Sequence, residues 1–220
     1  MNILIINGSP RGKNGNTEIF VKHFALGIKA PCEIRCAANE GSKQLAEYSQ
    51  LFDTVIIAMP MYLHAMPGIV MKIVEHMEPA EDGSQRIGFI VQSGFMESAQ
   101  ARYLENYLSG LAKQLNYTYL GTVIRGGSAG VSMMPENMNK KLFAQLKTLG
   151  EQFDLNGSFD KEVIKTMARP VNLSKGKCRM LQCMNRFGIG DSMFWRYMLK
   201  TNKAFDKRFD KPFRNSSGTT

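Results

Sequence analysis

This sequence has few cysteines and no long apolar run. Four cysteines in 220 residues, Cys32, Cys36, Cys178 and Cys183, are too few and too scattered for a disulfide framework. They predict reduced thiols and a cytoplasmic protein. No stretch approaches the roughly 18 uninterrupted apolar residues of a membrane span, so no span is expected. The opening run Ile3 to Ile6 lacks a preceding basic flank and predicts no secretory leader. Charged residues are only 21% of the chain against 44% hydrophobic, with 20 Gly and 8 Pro, which excludes disordered, collagen-like and coiled-coil classes. A chain this long buries roughly 70% of its unfolded surface, so stability needs neither metal nor disulfide.

Charge is divided unevenly along the chain. The formal net charge is +9, yet residues 1–159 carry 14 Lys and Arg against 14 Asp and Glu. Residues 160–220 carry 14 against 5 and supply the whole excess. The body is neutral and the tail is basic.

Apolar runs typical of buried parallel strands recur at Ile3 to Ile6, Thr54 to Ala58, Ile87 to Val91 and Tyr119 to Ile124, with a weaker one at Cys32 to Arg35. Helical spacing follows each, as in Ile19, Phe20, Phe24 and Ile28, or Leu142, Leu146, Leu149 and Phe153. Five strand–helix alternations predict one doubly wound α/β domain with right-handed crossovers. The break at Asn156-Gly157-Ser158 ends the pattern. We therefore expect a domain over residues 1–157, a basic helical extension over 158–214 and a frayed polar end at 215–220.

In an open parallel sheet, ligands bind beyond the carboxyl ends of the strands, where the strand order reverses. The first such loop, Asn7-Gly8-Ser9-Pro10-Arg11-Gly12-Lys13-Asn14-Gly15-Asn16-Thr17, is rich in Gly, hydroxyls and cations and leads into a helix. Small residues let backbone amides wrap an anion at the helix N-terminus. The spacing fits neither a Walker loop nor the G-x-G-x-x-G dinucleotide fingerprint. The third loop, Met59 to Gly68, has two prolines and Tyr62 among apolar residues. The fourth, Gln92 to Ser98, is small and polar around Phe95. With a sheet order of 2-1-3-4-5 these three loops converge, one suited to a phosphate and two to a planar ring.

The segments GSPRGKNGNT, PMYLHAMPGIVMK and SGFMES together resemble the NADPH-dependent FMN reductase family of flavodoxin-like flavoproteins, over about residues 1–155. The resemblance implies a flavodoxin-like fold in which Ser9, Arg11, Asn16 and Thr17 hold the FMN phosphate. It places Pro60, Met61, Tyr62 and Leu63 along the isoalloxazine and ribityl chain, and Ser93, Gly94 and Phe95 at the ring's other edge. Asn14 and Glu97 are secondary candidates. NADPH or NADH would be the co-substrate, a flavin, quinone, azo or nitro aromatic the acceptor, and a homodimer or larger assembly the working form. Some members of the wider group hold an iron–sulfur cluster in four closely spaced cysteines. The wide separation of the four thiols here predicts no metal site.

The cofactor carries the chemistry in such an enzyme, so no catalytic side chain is assigned. Two other classes stay open: a flavodoxin-like electron carrier, and a flavin-binding regulatory module with a tail touching membrane or nucleic acid. The neutral body speaks against the carrier. In the tail, Met193, Phe194, Tyr197, Met198, Phe205 and Phe209 form a roughly helical apolar face flanked by Arg196, Lys200, Lys203, Lys207 and Arg208. No nucleic-acid motif accompanies that charge, so residues 160–213 are expected to pack on the body or on a second subunit.

Overall fold

The computed structural model describes residues 1–187 and 191–211, with backbone alone at 191–194. The expected frayed end at 215–220, and the side chains of Met193 and Phe194, lie outside what is described. Five parallel strands, β1 (Ile3–Asn7), β2 (Cys32–Cys36), β3 (Thr54–Pro60), β4 (Arg86–Gln92) and β5 (Thr118–Arg125), form one sheet in the order 2-1-3-4-5. That order belongs to the flavodoxin-like fold. Helices α1 (Asn16–Ala25), α2 (Ser42–Ser49), α3 (Gly68–Val74), α4 (Arg102–Gln114) and α5 (Glu136–Asn156) each follow a strand.

Alternation along each strand divides the core into two layers, because successive side chains leave opposite faces of a sheet. Leu4, Ile6, Val55, Ile57, Phe89 and Val91 face one way and meet Leu45, Val70, Ile73, Leu104 and Leu108 of α2, α3 and α4. Ile3, Ile5, Ile56, Ala58 and Ile90 face the other and meet Phe20, Phe24, Leu146, Leu149 and Phe153 of α1 and α5. Every residue of β1 and β3 is buried, which explains their unbroken apolar runs. The carboxyl ends of these two central strands are where the chain turns to opposite sides of the sheet.

The α/β body is longer than the sequence suggests. Gly157 closes α5 with a left-handed backbone, φ 65°, as the expected break requires. The chain then returns to the sheet: Phe159 and Met167 are buried beside Phe24 and Phe153, and α6 (Lys161–Met167) is capped by the Asp160 carboxylate. The compact unit therefore runs from Met1 to Asn172, and the boundary expected at 157 moves to 172. The second unit, Leu173–Thr220, contains α7 (Lys175–Arg186) and α8 (Asp191–Thr201).

Helices α1 and α5 meet at backbone distance. A Cβ on Gly150 would stand 2.0 Å from the Phe24 carbonyl oxygen, and one on Gly27 would stand 2.2 Å from that of Lys147. The Lys147 carbonyl lies inside α5, and the Phe24 carbonyl accepts the Gly27 N–H at 3.0 Å in the turn that ends α1, so neither is free to give way. Gly150→Ala is thus expected to cost about 1–3 kcal/mol, as overpacking does. Gly110→Ala, in open space on α4, should raise stability by about 0.5–1 kcal/mol. Urea unfolding of the two variants checks both signs.

Candidate active site

The loop after β1 is built around a buried amide. Asn7, fully buried at the end of the strand, donates through Nδ2 to Glu18 Oε2 at 2.8 Å and to the Gly12 carbonyl at 3.3 Å. Its Oδ1 accepts the Ser9 N–H at 3.1 Å, and Ser9 Oγ in turn accepts the Arg11 N–H at 3.2 Å. Glu18 lies in the first turn of α1 and also meets Lys22 Nζ at 3.3 Å, so its charge is compensated. Gly15 has no side chain because a Cβ there would stand 2.7 Å from Ser9 Oγ. The result curls over the N-terminus of α1, with Ser9 and Thr17 hydroxyls beneath it and the exposed Arg11 and Lys13 at its rim.

Backbone hydrogen bonds tie this loop to the other strand ends. Gly8 N–H donates to the Ala58 carbonyl at 2.7 Å, Met61 N–H to Gln92 at 2.8 Å, and Ser93 N–H to Arg125 at 2.9 Å. Ser128 N–H returns to the Ser93 carbonyl at 2.8 Å. Asn16 closes the circuit: its Nδ2 donates to the carbonyls of Ser128 at 2.7 Å and Ala129 at 3.2 Å, and its Oδ1 accepts the Ser132 N–H at 3.0 Å. Across the middle, Gln92 Nε2 lies 3.5 Å from Thr17 Oγ1. The ends of β1, β3, β4 and β5 therefore form one bonded rim.

The third loop is a strained hairpin. Tyr62 and Ala65 exchange N–H···O bonds of 3.0 and 2.9 Å around Leu63 and His64, whose φ values of 48° and 64° are left-handed. Without glycine, this geometry costs about 1–2 kcal/mol per residue. It is held from outside, since His64 stacks on Phe95 at 5.4 Å and its Nδ1–H donates to the Gln100 carbonyl at 2.9 Å. The hairpin leaves Leu63 90% exposed, with Tyr62 and Phe95 about half exposed. A separate apolar cavity of about 560 Å³ opens beside His64 between α3 and α4, lined by Met66, Met71, Tyr103 and Tyr107.

Ser9, Arg11 and Thr17 thus stand together at the phosphate-type loop. Tyr62, Leu63, Gly94 and Phe95 stand together as an exposed rim, while Pro60 and Ser93 are buried supports beneath it. Two expectations change. The Asn16 side chain is committed to the loop after β5 rather than free for a phosphate. Met61 is 4% exposed, packs into the core and engages its N–H with Gln92, so it offers no side chain to a ring. The secondary candidate Asn14 is exposed at the rim. Sequence reasoning missed Asn7, Glu18, Gln92 and Ser128. A polar residue closing an otherwise apolar strand, and an acid in a helix's first turn, were the available signals for the first two. Among the described residues no three His, Cys, Asp or Glu side chains are grouped to hold a metal. Burial pushes the Cys32 thiol up to about 11, leaving it protonated at neutral pH.

No protein-family description and no curated protein matches the sequence. Solved structures do match. An NAD(P)H:quinone oxidoreductase from Methanothermobacter marburgensis is 10% identical at a TM-score of 0.56, over 70% of this chain and 97% of that one. An NADPH-quinone reductase from P. pentosaceus is 15% identical at 0.51, over 67% and 96%. An FMN-dependent NADH-azoreductase from Bacillus anthracis, solved with FMN, is 14% identical at 0.50, over 70% and 100%. At such identities the likeness is one of fold.

The Asn16 clamp is directly testable. Asn16→Ala leaves two carbonyls and one N–H of the rim without their partner, at a cost of about 1–3 kcal/mol. Asn16→Asp has the same shape but sets a carboxylate against two carbonyl oxygens. Its folded-state pKa must rise above the unfolded value, so the penalty is absent in acid and grows as pH rises through the carboxylate range. Urea unfolding at pH 4 and pH 7 should show Asn16→Asp closer to the parent at the lower pH.

Proposed function

We propose that the bonded rim binds FMN and that the protein is an FMN-dependent NAD(P)H oxidoreductase delivering reducing equivalents to a small aromatic acceptor, a flavin, quinone, azo or nitro compound. The observation that carries this reading is the curled loop over α1, placed where flavodoxin-like sheets take FMN. The names of the FMN-dependent azoreductase and the two quinone reductases of like fold agree with it.

The residues present fit that group. A phosphate needs several donors converging without a side chain in the way. Ser9 Oγ, Thr17 Oγ1, the exposed Arg11 and the first N–H groups of α1 supply them around the bare Gly15. Helix polarity favours the dianion there. Asn7 and Glu18 hold the loop in its curled shape before any ligand arrives, so little ordering cost attends binding. On the other side, Tyr62, Leu63 and Phe95 present apolar surface to a flat ring. Gly94 is exposed, and a Cβ there would meet only Ala129 at 3.5 Å, so a ring edge can approach the backbone. Ser93 beneath is fixed between Arg125 and Ser128.

Bound FMN would supply hydride transfer from the nicotinamide and on to the acceptor, so the protein's task is placement and shielding. The exposed Leu63, Phe95 and Met96 leave that side of the rim open to a second flat molecule. The same exposed apolar surface fits a homodimer in which a second copy partly covers the site. Free thiols fit a reducing, cytoplasmic setting.

The expected outcome is that FMN copurifies or rebinds on titration, and that anaerobic NADPH or NADH bleaches its visible band. A protein that takes up no FMN, or FMN that neither nicotinamide reduces, would sink the reading. Arg11→Ala combined with Thr17→Ala should weaken FMN binding by about 3–5 kcal/mol, since each charge-assisted bond to phosphate contributes about 1.5–3. Unchanged affinity would move the phosphate elsewhere.

A further inference from the structure

We propose that residues 173–187 and 195–211 form a surface that docks on an anionic lipid bilayer, lying on the headgroups rather than crossing them. The argument begins with charge. From Leu173 to Thr220 the sequence has 11 Lys and Arg against 3 Asp, so nearly the whole net charge of +9 lies in this unit. Residues 1–172 are close to balanced, with 17 Lys and Arg against 16 Asp and Glu.

The second observation is that, among the described residues of this unit, no side chain is buried. No side chain of α7 is buried. Yet α7 is amphipathic: Met180, Cys183, Met184 and Phe187 recur at i, i+3, i+4 and i+7, while Lys175, Arg179 and Arg186 line one flank of that stripe and Lys177 the other. Met180 is 55% and Phe187 73% exposed. On α8, Trp195 and Tyr197 are also more than half exposed, with Arg196 and Lys200 one helical turn apart beside them. Beyond it, Arg208 lies over the rings of both Phe205 and Phe209, at 4.1 and 4.7 Å.

Exposed aromatic and thioether groups interleaved with cations are what a headgroup boundary accommodates. Rings and methionines enter the acyl edge, Trp and Tyr sit at headgroup level, and long basic side chains reach the phosphates. Polyanionic nucleic acid would use the cations but leave Phe187 and Trp195 in water. No described helix is long and apolar enough to cross a membrane, which leaves a surface-lying mode. This inference is independent of what the α/β body catalyses.

Trp195 is the chain's single tryptophan and reports on this unit alone. Full-length protein would be mixed with phosphatidylcholine vesicles containing phosphatidylglycerol, with pure phosphatidylcholine vesicles, and with duplex DNA. The proposal expects co-sedimentation and a blue-shifted Trp195 emission with the anionic vesicles only, reversed by added salt through charge screening. Lys175→Gln with Arg179→Gln and Arg186→Gln should lower partitioning roughly a hundredfold. Phe187→Ser should weaken it while keeping the salt dependence. Arg196→Gln with Lys200→Gln repeats the charge test on the other helix, and circular dichroism verifies that the helices persist. No partitioning, equal partitioning to both lipids, or unchanged partitioning of the charge variants would overturn the proposal. So would DNA captured in preference to anionic vesicles, or a lipid-free dimer with Trp195 already blue-shifted.

Discussion

The rim of hydrogen bonds at the carboxyl edge of the sheet is the constraint on which the candidate site depends. A parallel sheet ends each strand at a different height, and the loops leaving it have no ladder partners of their own. Here each loop borrows a carbonyl or N–H from its neighbour: Gly8 from Ala58, Met61 from Gln92, Ser93 from Arg125, Ser128 from Ser93. Asn16 joins the last loop to the first helix. These groups are largely buried, where an unpaired donor or acceptor is costly. The rim therefore behaves as one unit, and a loop cannot shift without stranding its neighbour's polar atoms.

That coupling explains how a strained hairpin persists. Leu63 and His64 in left-handed conformations would relax in an isolated peptide. They are kept by the stack of His64 on Phe95, the His64 bond to Gln100 and the Met61 bond to Gln92. Strain is thus localised at the exposed apolar edge, while the phosphate-type loop is relaxed and internally bonded through Asn7, Ser9 and Glu18. One half of the site is rigid by satisfaction, the other by external clamps.

The sequence made the sheet legible because β1 and β3 are buried on both faces and so read as unbroken apolar runs. The loops were legible by their chemistry, since one combines small residues with hydroxyls and cations and two set an aromatic among small or apolar residues. What escaped were contacts between residues far apart in the chain. Asn16 lies in a pattern that invites a phosphate, and nothing within ten residues announces that its amide meets Ser128. Met61 reads as a loop residue, but β3 runs on to Pro60 and carries Met61 into the core. The boundary after Gly157 was misplaced for the same reason. A glycine that ends a helix looks like a domain edge until Phe159 and Met167 are seen to fill the layer under β5.

The two units also represent two physical ways of attracting an anion. The α/β body has almost no net charge, so any affinity it has for phosphate must come from local geometry: oriented N–H groups, two buried hydroxyls and the exposed cations Arg11 and Lys13. Such a site is selective, because its donors converge on one small volume and fall off beyond the first helical turn. The described residues of the second unit have the opposite character, with many cations spread along exposed helix faces. A field of that kind discriminates little between individual phosphates but adds up over an extended anionic surface. The exposed rings between the cations then decide which extended surface is favoured, since only one with an apolar layer just beneath its charges satisfies both.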